Sequence, residues 1–219
     1  MERETDQEFS TTDKNHNSKS LVVSAQKKVL SQLSANKSVQ KQFLDEEQNR
    51  LLQLFHDLSY EYLCIQQNVS SIENKKEREK EEANVKQTVH KVHKDLIKLT
   101  VKISVLAGQK QLTGEELDAL MQLREVFHKF VMTFVTYNQM PDCYNRTIIL
   151  DQLAGMKDTL NNIISRPLSE KSGLRLDNVF NFFMDPKYLD AIFNRATQHK
   201  IIMEQICEIL QNLLTNKLI

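Results

Sequence analysis

Lysine is the residue type whose placement carries the most chemistry in this chain. Residues 14–44 hold six lysines (Lys14, Lys19, Lys27, Lys28, Lys37 and Lys41) and no acidic residue, in a chain of zero formal net charge. Within that stretch, residues 18–33 read as an amphipathic helix capped by Asn17 or Ser18, with Lys19, Lys27 and Lys28 on and beside its polar face. Such a helix suits an anionic membrane surface or an acidic partner, each lysine near an anionic leaflet contributing about 1 kcal/mol. The same spacing fits a merely solvated face, but ordinary exposed helices mix signs and this one does not. A second row, Lys91, Lys94, Lys98 and Lys102, recurs every three or four residues along another helical stretch.

Other candidate groups lead nowhere catalytic. His90 and His93 share a helical face, but no carboxylate or cysteine joins them at metal-ligand spacing. Asp45, Glu46 and Glu47 cluster where a helix begins, and negative charge stabilises a helix N-terminus. Cys64, Cys143 and Cys207 are odd in number and far apart, which argues against a disulfide framework or a Cys-x-x-Cys metal site. With no nucleophile elbow, phosphate loop or zinc signature, the sequence predicts a non-enzyme without metal or cofactor. Overall neutrality, and the lack of aromatics among the lysines, argue against nucleic acid as partner.

The elements that must position these residues are helices. Four glycines and three prolines in 219 residues leave little turn material for a sandwich or barrel. No run of about 18 apolar residues is present, and residues 1–7 lack the apolar segment of a secretory leader, so a cytosolic protein is expected. Residues 1–16 have no hydrophobic period and are predicted disordered. Helices follow over about 51–69, 84–106, from Thr113 to beyond Val135, 145–165, two short ones around 179–183 and 188–193, and 201–214. Residues 73–82 contain no apolar side chain and read as a solvated linker or a helical extension held by charge pairs. The expectation is an all-α fold, a compact bundle of about seven helices in one domain spanning 17–219.

Several blocks, in order along the chain, resemble the tumour-necrosis-factor-induced-protein-8-like, or TIPE, family. They are Ser18-Lys-Ser-Leu-Val-Val-Ser-Ala-Gln-Lys-Lys-Val-Leu30, Phe43-Leu-Asp-Glu46 and Lys94-Asp-Leu-Ile-Lys-Leu-Thr-Val-Lys-Ile-Ser-Val-Leu106. Met132-Thr-Phe-Val135, Lys171-Ser-Gly-Leu-Arg175 and Val179-Phe-Asn-Phe-Phe-Met-Asp185 complete the set. The resemblance implies helices around a long hydrophobic cavity open at one end, and a protein that binds and transfers phosphoinositides or other anionic phospholipids. It further implies a cytoplasmic, reversibly membrane-associated regulator of inflammatory, survival and migration signalling. By position, Lys27, Lys28, Lys19, Lys91, Lys171 and Arg175 become the implied headgroup ligands. Two sites depart from the family pattern: Ala107-Gly108 stands where an aromatic or histidine and a basic residue are common, and Gly173-Leu174 where His-Gly is usual. Residues 70–84 look like a charged insertion.

Apolar stripes give the cavity reading its candidates. Leu96, Leu99 and Ile103 on one helix face Met121, Phe127, Phe130 and Phe134 on the next, as acyl-cavity lining. From the spacing alone these residues read as ordinary packed core, and it is the resemblance that makes them cavity lining. The rival function is a non-enzymatic adaptor using the basic N-terminal helix to bind signalling proteins such as small GTPases.

Overall fold

The computed structural model describes residues 24–194 and 199–216, so the expected disordered segment 1–16, the start of the basic helix and Lys19 lie outside the described residues. Every regular element among them is helical. Residues 24–33 form α1, followed by α2 (Lys37–Phe43), α3 (Glu46–Gln66), α4 (Lys75–Gly108) and α5 (Gly114–Gln139). Then come α6 (Arg146–Ile164), α7 (Glu170–Phe183), α8 (Pro186–Ile192) and α9 (Lys200–Thr215), with short 3-10 turns at Val69–Ser71 and Pro141–Cys143. No described helix is long and apolar enough to cross a membrane.

Side chains set most of the helix starts. Asp45 accepts from the Gln48 amide at 2.7 Å, and the Gln48 side chain returns the bond to the Asp45 N–H, so α3 opens at Glu46 rather than near Leu51. Thr113 and Glu116 close the same capping box on α5. Asn74 accepts from the Lys76 and Glu77 amides and starts α4 ahead of the expected position near Asn84. The charged stretch is therefore the first turns of a 34-residue helix. Good helix formers and the Lys75–Glu79 pair favour it while most of its side chains stay exposed, and Val85 and Val89 are buried further along. Helix α2 was not anticipated, since seven residues with two apolar ones show no period.

The end of α4 decides where α5 can go. The Gln111 N–H bonds to the Leu106 carbonyl and that of Lys110 to Ala107, a Schellman closure with Lys110 at φ 53° in the left-handed position usually given to glycine. Lys110→Gly is expected to raise stability by about 0.5–1 kcal/mol, because the backbone strain exceeds the entropy glycine adds to the unfolded chain. A denaturant midpoint that falls would contradict this.

The core runs between α3, α4, α5, α6, α7, α8 and α9. Leu58, Val85, Val101, Leu106, Val131, Ile149 and Ile206 are completely or almost completely buried, each worth about 1.5–3 kcal/mol relative to exposure. Phe55, Phe134 and Phe193 pack edge to face across α3, α5 and the end of α8, with centroids 6.3 and 5.1 Å apart. His199 meets Glu61 at 3.0 Å and ties the start of α9 to α3. Arg166, just past α6, forms a two-pronged pair with Glu116 at 2.7 and 2.6 Å and also donates to the Gln111 carbonyl. That contact fixes the α4–α5 loop to the end of α6, with Arg166 holding the Glu116 carboxyl below its usual range against the opposing effect of burial.

Candidate functional site

The six helices α3 to α8 do not pack shut. They enclose an apolar cavity of about 360 Å³, near the lower end of the roughly 300–1,000 Å³ typical of small-molecule sites. Helix α4 contributes Leu96, Leu99, Thr100 and Ile103; α5 contributes Leu123, Arg124, Phe127, Phe130 and Phe134. Ile149, Leu153, Met156 and Leu160 follow each other on one face of α6, and Leu176, Val179, Phe180 and Phe183 on one face of α7. Phe55 of α3 and Tyr188, Leu189 and Ile192 of α8 complete the wall. Tyr188 is fully buried, and burial pushes its hydroxyl well above the ordinary tyrosine range.

Exposure distinguishes the two sides of this cavity. Ile149, Leu176, Val179 and Tyr188 are buried, whereas Leu96, Thr100, Ile103, Leu123, Phe127 and Leu160 keep partial exposure. The open side therefore lies between α4 and α5. Arg124 stands there, exposed, and is the one charged side chain in the lining. Helix α1 is tethered nearby, where Gln26 donates to Gln111 of the α4–α5 loop at 2.7 Å. Leu30 of α1 is buried, Lys27 is half-buried and Lys28 is exposed.

Six of the seven residues proposed from the sequence as acyl lining sit on this wall: Leu96, Leu99, Ile103, Phe127, Phe130 and Phe134. Met121 does not. It is 60 % exposed on the outer side of α5, because the inward stripe there runs through Leu120, Leu123 and Phe127 and leaves Met121 turned away. Sequence reasoning missed Arg124, although a charge within an apolar stripe was the available signal. It also missed the α6 and α7 faces, whose apolar residues at spacings of three and four were legible as stripes but not as sharing one cavity.

The remaining implied headgroup ligands lie elsewhere. Lys91 is exposed on α4 and Lys171 on α7, neither lining the cavity. Arg175, its side chain 11 % exposed, donates to Asp95 at 3.1 Å, and Asn178 donates to the other oxygen of the same carboxylate at 3.1 Å. Beside them Lys102 is 2 % exposed and donates to the Ser172 hydroxyl at 3.0 Å. Burial, and then Arg175, Lys98 and Lys171, push its amine down to about 8.

No described group of three or more His, Cys, Asp or Glu is arranged to hold a metal. His93 instead packs edge to face on His56 with centroids 5.1 Å apart, and burial holds its imidazole below the usual value. The three cysteines are free, Cys207 being buried with its thiol pushed up to about 12. Nucleophilic chemistry needs a thiolate, which burial here disfavours.

Comparison with known proteins adds an independent finding. The sequence model of the family described as "Tumor necrosis factor alpha-induced protein 8-like" matches residues 16–76 and 64–217. Tumor necrosis factor alpha-induced protein 8-like protein 3 of Xenopus laevis is 29% identical over 212 residues, 97% of this chain and 95% of that protein. Tumor necrosis factor alpha-induced protein 8 of Bos taurus is 30% identical over 192 residues, covering 88% and 86%. Tumor necrosis factor alpha-induced protein 8-like protein 1 of Gallus gallus is 30% identical over 190 residues, covering 87% and 91%.

Proposed function

The chain belongs to the Tumor necrosis factor alpha-induced protein 8-like family, and from that premise we propose that it binds an anionic phospholipid, a phosphoinositide by preference, and moves it between membranes in inflammatory and survival signalling. The observation that carries this reading is the cavity itself, apolar throughout its buried side and bearing one cation, Arg124, at its open side. A long acyl chain left in water costs about 0.8 kcal/mol per methylene, so a lipid leaves a bilayer only when such a cavity receives its tail. Arg124 then meets the headgroup phosphate, for which a guanidinium offers paired donors.

Lys27 and Lys28 on α1 supply weak, salt-sensitive attraction to the leaflet, consistent with a shuttle that must also release. The half-burial of Lys27 and the tether from Gln26 to the α4–α5 loop set α1 beside the two helices that flank the opening. No chemical step is part of this function: the chain acts by binding, as a cytoplasmic protein that visits membranes.

Native mass spectrometry of the purified full chain should detect a co-purifying phospholipid. In vesicle flotation, preference for phosphoinositide-containing over neutral vesicles should drop several-fold with Arg124→Glu, and at least fivefold for each of Lys27→Glu and Lys28→Glu. Absence of bound lipid, together with equal partitioning onto both vesicle types, would sink the reading.

A further inference from the structure

Across α4 from the cavity lies a charged face that lipid binding does not use. At about 100° per residue, Lys91, Lys94 and Lys98 leave α4 on the side opposite Leu96, Thr100 and Ile103. Lys91 and Lys94 are exposed and Lys98 is half-buried, while Lys102 continues the row inward to Ser172 of α7. Helix α7 packs along this side and adds exposed Lys171 and, one turn on, Leu174 at 69 % exposure.

Counter-charge is scarce on this face. Asp95 is the one acidic residue in positions 83–108, against five lysines, and both its oxygens are already engaged by Arg175 and Asn178. Helix α2, which also packs on α4, has no acidic residue. The Lys98 amine is held below its ordinary value by burial and then by Arg175 and Lys94, with Asp95 opposing and Lys171 adding to the effect. An exposed acid, Glu170, stands beside Lys171 at the rim.

We propose that the outer α4–α7 face is the docking site for an acidic polypeptide, whose carboxylates run along Lys91, Lys94 and Lys98 and meet Lys171 at the rim, and whose apolar side chain covers Leu174. The accessible part of the lysine row, Lys91 to Lys98, rises about 10 Å along one axis, at three- and four-residue steps. Carboxylates three and four residues apart on an acidic helix repeat the same rise, so they pair in register. Leaflet headgroups carry no such order. A leaflet on this face would also lie across α4 from the cavity's open side, where no lipid passes directly. A protruding leucine among rim cations fits a protein contact in which charge sets the encounter rate and an apolar side chain slows release. This site is independent of the lipid reading and stands or falls separately.

The test uses the full chain and a fluorescein-labelled, alanine-based helical peptide carrying glutamates three and four residues apart and one leucine. Apart from half-buried Lys27, the substituted side chains are exposed, and circular dichroism checks the fold of each variant. Combined Lys91→Glu, Lys94→Glu and Lys171→Glu should weaken peptide binding at least tenfold, each pair lost being worth roughly two- to fivefold before repulsion is added. Leu174→Ser should weaken it about tenfold. Lys27→Glu with Lys28→Glu should leave it unchanged. The proposal is overturned if the peptide does not bind, if the lysine or leucine variants bind as well as the parent, or if the α1 variant is the one that loses binding. It is overturned in favour of a membrane surface if the triple variant loses only its partitioning onto phosphatidylserine-containing phosphatidylcholine vesicles.

Discussion

Asp95→Ala is expected to destabilise the protein by about 3–5 kcal/mol, the range for removing one partner of a buried ion pair. Among the described residues this carboxylate is the acid that pairs with Arg175, whose side chain is 11 % exposed, and it also accepts from Asn178. Without it, Arg175 stays largely buried beside Lys98, Lys102 and Lys171, and their repulsion is no longer offset by a carboxylate bonded to it. The large cost comes from that stranded cation rather than from the pair's own net worth. Asp95→Asn keeps the shape and an acceptor, so it should lose less. Urea titration of both variants measures this, and a loss below about 1 kcal/mol for the alanine variant would show that water already reaches Arg175.

Lys102→Met should do the opposite and stabilise the protein by about 2 kcal/mol at neutral pH. The Lys102 amine titrates at about 8 in the folded chain instead of the ordinary 10.5, which corresponds to about 3 kcal/mol of folding free energy lost whenever the lysine is protonated in both states. Methionine removes that cost and fills a similar volume, but leaves the Ser172 hydroxyl without its donor, which returns about 1 kcal/mol. The sign with pH follows from the direction of the shift. Between about pH 8 and 10.5 the unfolded chain binds more protons than the folded one, so this group makes the parent more stable as pH rises. The methionine variant lacks that slope, and its advantage should shrink to nothing by about pH 10.5. An advantage that persists there would mean that packing, not charge, is responsible. Because Asp95 and Lys102 belong to one cluster, the double variant should recover part of the Asp95→Ala loss rather than add to it.

Much of this architecture was readable in the residues, for local reasons. Thr113 with Glu116 marks a capping box without any tertiary information, and the structure has it. The apolar stripes of α4 and α5 were legible because a helix repeats every 3.6 residues. The acid-free character of α1 and α2 is a property of sequence alone. Helix α2 was missed, and the extension of α4 back to Lys75 stood as one of two readings beside a solvated linker, because neither carries an apolar period, and both depend on single caps at Asn36 and Asn74.

The site was less legible, since periodicity defines a face without naming what the face meets. Leu96, Ile103, Phe127 and Phe130 have the pattern of ordinary core. Only the placement of α6, α7 and α8 decides that a cavity remains between them. Met121 and Leu123 are near neighbours in one apolar stretch, yet one faces solvent and the other the cavity.

Sequence by itself determined the helical class, most helix limits, the family and the uneven distribution of lysines. Tertiary structure alone decided what each lysine and arginine does, through contacts between residues 70 to 83 positions apart: Lys102 with Ser172, Arg175 with Asp95, Asn178 with Asp95. A charge's role depends on its distance from other charges and from water, and in a bundle both are set by how α4 and α7 pack. The two alanine and methionine substitutions at Asp95 and Lys102 differ in sign for that reason, although the sequence shows only an aspartate and a lysine on one helix.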